Sequence, residues 1–272
     1  MLDYLLLIAT FAAPAFGANG ALTKACNALS ERTFMAQGRC FVVGAASATS
    51  ADAHTSCTHL TKFNGHLAIP NTLLVVNAIK AKIPGLAGGA AEHYHTAGGR
   101  PDAWDGAITW ATHGNASRQG WSLTYKGVYY AMPDSYQGFF DHWAHYDSQP
   151  TWCNPNVAGN CMSVFFWPDN NFGGYHNMEC TYVKPYICEY RGGNTNFAEI
   201  AAKINKKLVT AIATSDAASV HDCMALCHDN WVCASIAYNQ ASKDCRLQIT
   251  DDKDTASLYV TAAGYKWYSV VA

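Results

Sequence analysis

The chain has 272 residues, which is enough for one large domain or two ordinary ones. Half of the residues are apolar and only 14% are charged, a composition that argues against a disordered chain. The 18 Lys and Arg against 20 Asp and Glu leave a net charge of −2, so no long-range attraction draws the chain to phosphate backbones or anionic membranes. Nucleic acid is therefore not an expected partner.

Residues 4–17 form an apolar run that is shorter than the ~18–20 residues needed to span a bilayer. Ala15 and Gly17 place small residues at the −3 and −1 positions of a cut after residue 17, and a cut after Gly20 fits equally well. We expect residues 1–17 to be a cleaved secretory signal, although the run is preceded by Asp3 and by no Lys or Arg. The alternative is an uncleaved anchor or a buried N-terminal helix. With the signal removed, we expect a secreted, extracellular protein without a membrane span and with oxidised cysteines.

The 11 cysteines divide the chain into two parts. Seven lie between Cys26 and Cys188 and four between Cys223 and Cys245, with a polar, glycine-rich linker at 191–196 between the groups. We therefore expect a first domain at 24–190 and a second at 197–272. The second is too small to be held by an apolar core alone, so its four cysteines suit disulfide bonds.

In the first unit the pattern predicts strands at 40–43 and 65–69 and helices at 51–61 and 72–83. Pro84 and Gly85 are expected to end the second helix, and residues 85–103 to form a glycine-rich loop. Short aromatic-rich runs from residue 104 onward suit irregular loops and short strands. The predicted class is α+β, with two helices and a loop-rich antiparallel sheet.

The second unit is predicted to be a small α+β module. Ser219 and Asp222 have the spacing of a helix-capping box, and Cys223 and Cys227 then share one face of the helix. Strands are expected at 234–238, 245–249 and 266–271.

Sequence motifs of enzymes are missing from the chain. It has no G-x-S-x-G, H-E-x-x-H, P-loop or G-x-G-x-x-G motif, so we do not expect an enzyme. The cysteines never occur as C-x-x-C, and the spacing of the last four matches no usual zinc site, although zinc stays a minor alternative to disulfides there.

Two histidine pairs, His93 with His95 and His142 with His145, lie in expected loops. Either pair has the chemistry to bind a metal, but we expect ordinary solvated side chains. Asn115 begins an N-glycosylation sequon in a polar loop and is expected to be glycosylated.

The cysteine framework and the residues around it resemble the C-type lectin-like domain in its long form, over roughly 26–190. Segments similar to that family are Ala53-x3-Cys57, Gly65-His66-Leu67-Ala68, Trp104-Asp105-Gly106-Ala107, Gly120-Trp121 through Gly127, Cys161, and Cys180-x7-Cys188-Glu189. The resemblance implies three disulfides, Cys57–Cys188, Cys161–Cys180 and the N-terminal Cys26–Cys40.

The second unit resembles a PAN/apple domain. The similar residues are Cys223-x3-Cys227-x5-Cys233, Tyr238 and Cys245-Arg246-Leu247. This resemblance implies nested disulfides, Cys223–Cys245 and Cys227–Cys233.

In sugar-binding members of the lectin-like family, two triplets hold Ca²⁺ and the sugar. They align here with Gln149-Pro150-Thr151 and Tyr175-His176-Asn177, and Gly159 stands where a further acidic residue is usual. None of these positions offers a carboxylate, and Ca²⁺ prefers anionic oxygen ligands. We therefore expect an absent or very weak calcium site and no other cofactor or metal. Replacement ligands are a minor alternative, either Asn154 and Asn156, which we count as candidate ligand residues, or Asp169, Asn170 and Asn171.

The resemblance predicts an extracellular recognition protein that binds a glycan. The alternative is a calcium-independent protein-binding module with no sugar binding, and a secreted enzyme is a third class without a supporting motif. Cys153 has no counterpart in either disulfide framework. It is expected to be either a buried thiol or the link of a disulfide-bonded homodimer or mixed complex.

Overall fold

The computed structural model describes residues 20–29, 32–44, 46–87, 92–99, 122–125, 128–131, 161–166, 172–192, 196–208, 211–249 and 259–271. The expected signal at 1–17, the expected glycosylation site Asn115 and Cys153, which is expected to be unpaired within the chain, lie outside these residues.

In the described residues, the first unit combines three helices with two antiparallel sheets. The helices are α1 (Gly20–Ala28), α2 (Ser50–Ser56) and α3 (Leu73–Ala87). One sheet has the order β1-β2-β9-β3 and consists of β1 (Thr33–Ala36), β2 (Arg39–Val43), β3 (Gly65–Leu67) and β9 (Ile187–Arg191). The other has the order β6-β5-β4-β7-β8 and consists of β4 (Glu92–Gly99), β5 (Ser122–Tyr125), β6 (Val128–Ala131), β7 (Cys161–Phe166) and β8 (Phe172–Met178).

The second unit is a five-stranded sheet with one helix and a separate ribbon. The strands are β10 (Asn196–Glu199), β11 (Lys206–Leu208), β12 (Ala213–Asp216), β13 (Ser235–Asn239), β14 (Asp244–Gln248), β15 (Tyr259–Thr261) and β16 (Tyr265–Val271). The sheet order is β10-β16-β13-β14-β12, and β11 pairs with β15 in the ribbon. Helix α4 (Val220–Asp229) packs on β13 and β14, and a 3-10 turn occupies Ala201–Lys203.

The α+β class predicted from the sequence is confirmed, and several elements lie where the pattern placed them. The Ser219 hydroxyl accepts the N–H of Asp222 at 3.2 Å and so caps α4, as the capping-box spacing indicates. The five disulfides implied by the two resemblances are all present in the structure: Cys26–Cys40, Cys57–Cys188, Cys161–Cys180, Cys223–Cys245 and Cys227–Cys233.

Other predicted elements were wrong in extent or type. Helix α2 ends at Ser56, before Cys57, and α1 adds a third helix to the two expected. Helix α3 continues through Pro84 to Ala87, because a proline so near the end of a helix removes a single backbone hydrogen bond rather than breaking the whole element. The predicted loop at 85–103 contains β4, whose pairing with β5 and β7 outweighs its glycine content.

A buried ion cluster joins the two central strands of the first sheet, β2 and β9. Glu189 on β9 is fully buried, and its carboxylate accepts Arg39 Nη1 at 3.0 Å and Arg191 Nε at 3.1 Å. The backbone N–H of Ile69 donates to the same carboxylate at 2.9 Å. Burial alone would raise the pKa of Glu189, but the two guanidinium groups and this N–H hold it below its usual value. The carboxylate is therefore charged in the folded protein at neutral pH.

The second unit contacts the first through the turn that follows α4. Trp231, Val232 and Ile249 belong to the same buried apolar cluster as the core of the first unit. Asn71 Nδ2 donates to the carbonyl of Val232 at 2.8 Å, and the Arg191 guanidinium donates to the carbonyl of Trp231 and lies 5.2 Å from its ring. We call residues 230–232, which follow α4, the docking turn; the Cys227–Cys233 disulfide brackets it. The core of the first unit therefore extends to these three residues, while the rest of the second unit packs in two apolar clusters of its own.

Candidate ligand-binding site

Strand β8 carries one of the two candidate ligand triplets. It pairs with β7 in a register that sets Val164 against Tyr175, Ser163 against His176 and Met162 against Asn177. Gly174 has a φ of 116°, a conformation that favours glycine, and the β7–β8 register shifts between Phe165 and Phe166 just beside it. The triplet therefore begins directly after an irregular point in the pairing of β7 and β8.

The three residues of the triplet have different surroundings. The side chain of Tyr175 is fully buried in the core, and His176 is only 6% exposed. Asn177 is half-buried, and the Cys161–Cys180 disulfide fixes the chain just beyond it to the start of β7. Of the three, Asn177 is thus the most exposed side chain, while Tyr175 and His176 are buried.

His176 belongs to a cluster of rings from three strands. Its ring centroid is 5.1 Å from that of His93 on β4 and 5.0 Å from that of Phe165 on β7. His93 Nδ1 is 3.1 Å from the Ser163 hydroxyl, which in turn donates to the carbonyl of His176 at 3.3 Å. Burial, and then the charge of His93, lower the pKa of His176 to about 3. The imidazole of His176 is therefore neutral at physiological pH.

The remaining candidate ligand residues lie outside the part of the chain that the structure describes: Gln149, Pro150, Thr151, Asn154 and Asn156. The structure therefore brings together His176 and Asn177 and leaves the other five as predictions. Among the described residues, no three histidine, cysteine or acidic side chains are grouped so that they would hold a metal ion.

Sequence reasoning missed the part that His93 and Ser163 play beside the triplet. The predicted solvated loop around His93 and His95 is wrong, since both lie on β4 and His95 is fully buried. Its Nε2 lies 2.9 Å from the carbonyl of Tyr182. Residues 92–97 (EHYHTA) do not alternate between polar and apolar side chains, so the sequence carried no local strand signal there.

Residues 195–269 match the family model of the PAN domain. The match covers the second unit and confirms the PAN resemblance there. No curated protein sequence matches the chain significantly.

Several solved structures are similar to this chain. Human lithostathine aligns with a TM-score of 0.42 and 15% identity, over 60% of this chain and 98% of that one. The human scavenger receptor C-type lectin carbohydrate-recognition domain aligns with a TM-score of 0.39 and 14% identity, over 59% of this chain and 97% of that one. A calcium-independent type II antifreeze protein aligns with a TM-score of 0.35 and 19% identity, over 58% and 90%.

Proposed function

We propose that this chain is a secreted recognition protein that binds an extracellular glycan through its lectin-like unit and does so without calcium. The observation that carries the proposal is the composition and burial of the triplet on β8. Tyr175 and His176 are buried, Asn177 is half-buried, and none of the three offers the carboxylate that a calcium ion prefers. A neutral amide can hydrogen-bond sugar hydroxyls directly, since it has both donors and an acceptor.

Secretion is supported by the disulfide content. Ten cysteines pair within the chain, and such bonds persist in oxidising compartments. Within the described ranges, no helix combines the length and the hydrophobicity needed to cross a bilayer. The PAN module in the same chain supports binding to protein or carbohydrate rather than catalysis.

A direct test is a glycan array probed with the full-length, disulfide-intact protein and with an Asn177→Ala variant. We expect selective binding by the original chain and a loss of at least about tenfold in affinity in the variant, because a hydrogen-bonding amide at the ligand is removed. Gln240→Ala, which removes an exposed amide on the second unit, is the matched control and should bind as the original does. Selective binding that Asn177→Ala leaves unchanged would contradict the assignment of this face.

The second candidate is a calcium-independent protein-binding module. Two adjacent apolar side chains favour it, because Tyr182 is 46% exposed and Val183 is 62% exposed in the segment that follows β8. Exposed aromatic side chains of this kind are common anchors of protein interfaces. An array without any bound glycan, together with a partner whose binding is lost in Tyr182→Ala, would favour this function over the first.

A further inference from the structure

Four histidines of the first unit form two ring-to-ring pairs. His93 on β4 and His176 on β8 have ring centroids 5.1 Å apart, and His54 on α2 and His66 on β3 have theirs 4.9 Å apart. The first pair joins β4 to β8, which are distant in sequence, and the second joins the consecutive elements α2 and β3. Both rings of a pair cannot carry a proton without placing two positive charges side by side.

One pair lies beside the candidate ligand strand, and the other lies near the docking turn. His176 precedes Asn177 directly on the candidate ligand strand. The ring of His66 lies 6.0 Å from the ring of Trp231 in the docking turn. Strand β4 links the pairs, because it carries His93 and also His95, whose charge acts on His54.

Burial makes protonation of these rings unfavourable. His66 is 8% exposed and His176 is 6% exposed. Burial, followed by the charges of His66 and His95, lowers the pKa of His54 to about 4, and that of His176 is about 3. Burial also lowers the pKa of His95, even though backbone contacts at Tyr182 and Ala48 act in the opposite direction.

Neighbouring charges do little to offset this cost. Glu92 lies at the start of β4 beside His93, but its carboxylate is paired with Lys184, Nζ to Oε1 2.9 Å. Lys184 itself disfavours the charged form of His95. On the other side, Arg191 lies over the Trp231 ring that His66 contacts and adds a further positive charge. Acidification therefore brings more positive charge into a region that already holds some.

We propose that the pairs His54–His66 and His93–His176 form an acid-sensitive lock, which holds β8 and the docking turn in place at neutral pH and releases both in mildly acidic surroundings. The lock does not depend on what β8 binds. It would let a secreted protein hold its ligand face at the pH of extracellular fluid and open that face where the pH falls.

The direction of the pH effect follows from linkage. The unfolded chain takes up protons at His54 and His176 near pH 6.5, whereas the folded chain resists them down to about pH 4 and 3. Stability is therefore unaffected by these two groups above pH 6.5 and falls as the pH drops below it. Between pH 6 and pH 5 each of them raises the opening equilibrium constant roughly sevenfold.

Hydrogen exchange of the full-length, disulfide-intact protein at pH 6 and pH 5 tests the lock, with rates corrected for the intrinsic pH dependence of exchange. We expect protection at 172–178 and at 228–232 each to fall roughly sevenfold over this interval, because each segment packs against one of the two pairs. In the double variant His54→Phe/His176→Phe, which keeps rings but cannot titrate at these positions, the fall at 172–178 should disappear. The fall at 228–232 should shrink to the part due to His228, whose pKa burial also lowers. His221→Phe is the matched control, because His221 is exposed on α4, and it should behave as the original chain does.

A fall in protection at 172–178 that the double variant retains, or a fall below about twofold in the original chain, would overturn the proposal. If the double variant does not fold, imidazole titration of the original chain by NMR decides instead. Folded-state pKa values for His54 and His176 below 5 support the lock, and values near the 6.5 of a free histidine contradict it.

Discussion

Glu189 is the residue on which the arrangement around the docking turn depends most. Its buried carboxylate holds Arg39 and Arg191, and Arg191 reaches on to the carbonyl of Trp231. Arg39 also donates to Gln37 Oε1 at 2.7 Å. The charge of one side chain thus orients two guanidinium groups that have no room to turn toward water.

We expect Glu189→Gln to lower the free energy of unfolding by about 3–5 kcal/mol, since it leaves two buried guanidinium groups without their counter-charge. Urea denaturation at pH 7 measures this. Glu199→Gln is the control, because Glu199 pairs with the largely exposed Lys266 on the surface of the second unit and should cost less than about 1 kcal/mol. Equal effects of the two substitutions would show that the cluster does not matter for stability.

At the scale of elements, the backbone between α2 and β3 packs closely around Gly65. A Cβ atom added at Gly65 would lie 1.9 Å from the carbonyl oxygen of Cys57 and 2.6 Å from the ring of Tyr190. Cys57 is itself bonded to Cys188 on β9, so the carbonyl has little freedom to move away. The close approach of backbone to backbone here requires glycine.

Gly65→Ala is therefore expected to lower stability by about 1–3 kcal/mol or more through overpacking, which thermal unfolding would show as a lower midpoint. Gly20→Ala is the matched control, because a Cβ at Gly20 meets nothing within 4 Å. A midpoint for Gly65→Ala that equals the midpoint of the control would mean that this backbone adapts without cost.

Local signals in the sequence predicted local structure well. The cap of α4 at Ser219 depends on residues only three positions apart. The five disulfides follow from the cysteine frameworks of the two families that the chain resembles. Strand β4 and the pairing of His93 with His176 depend instead on strands that are distant in sequence, so no local pattern contained them. The contact of Trp231 with the first unit also joins residues that are distant in sequence, so no local pattern predicted it.

At the scale of the whole molecule, the contact made by the docking turn determines whether the two units unfold together or separately. The linker at 191–196 was predicted from composition, and strand pairing does change there, since β9 belongs to the first unit's sheet and β10 to the second's. The boundary itself stays a prediction. The common core at Trp231, Val232 and Ile249 nevertheless indicates that the units unfold together.

We expect a single calorimetric unfolding transition for the full chain and two transitions for Trp231→Ala, which removes the largest side chain at the contact. Cleavage by protease between 191 and 196 should also become faster in that variant, because undocked units expose the linker. Leu226→Ala, an exposed position on α4, is the control and should leave one transition. Two transitions in the unsubstituted chain would show that the units are independent despite their contact.

The central claim, glycan recognition without calcium, is tested most directly by one comparison. Binding of the full-length protein to its glycan on an array is measured in the presence of calcium and again in excess EDTA. Because no carboxylate stands at the aligned calcium positions, we expect the same affinity in both conditions. Loss of binding in EDTA, restored by added calcium, would contradict the account.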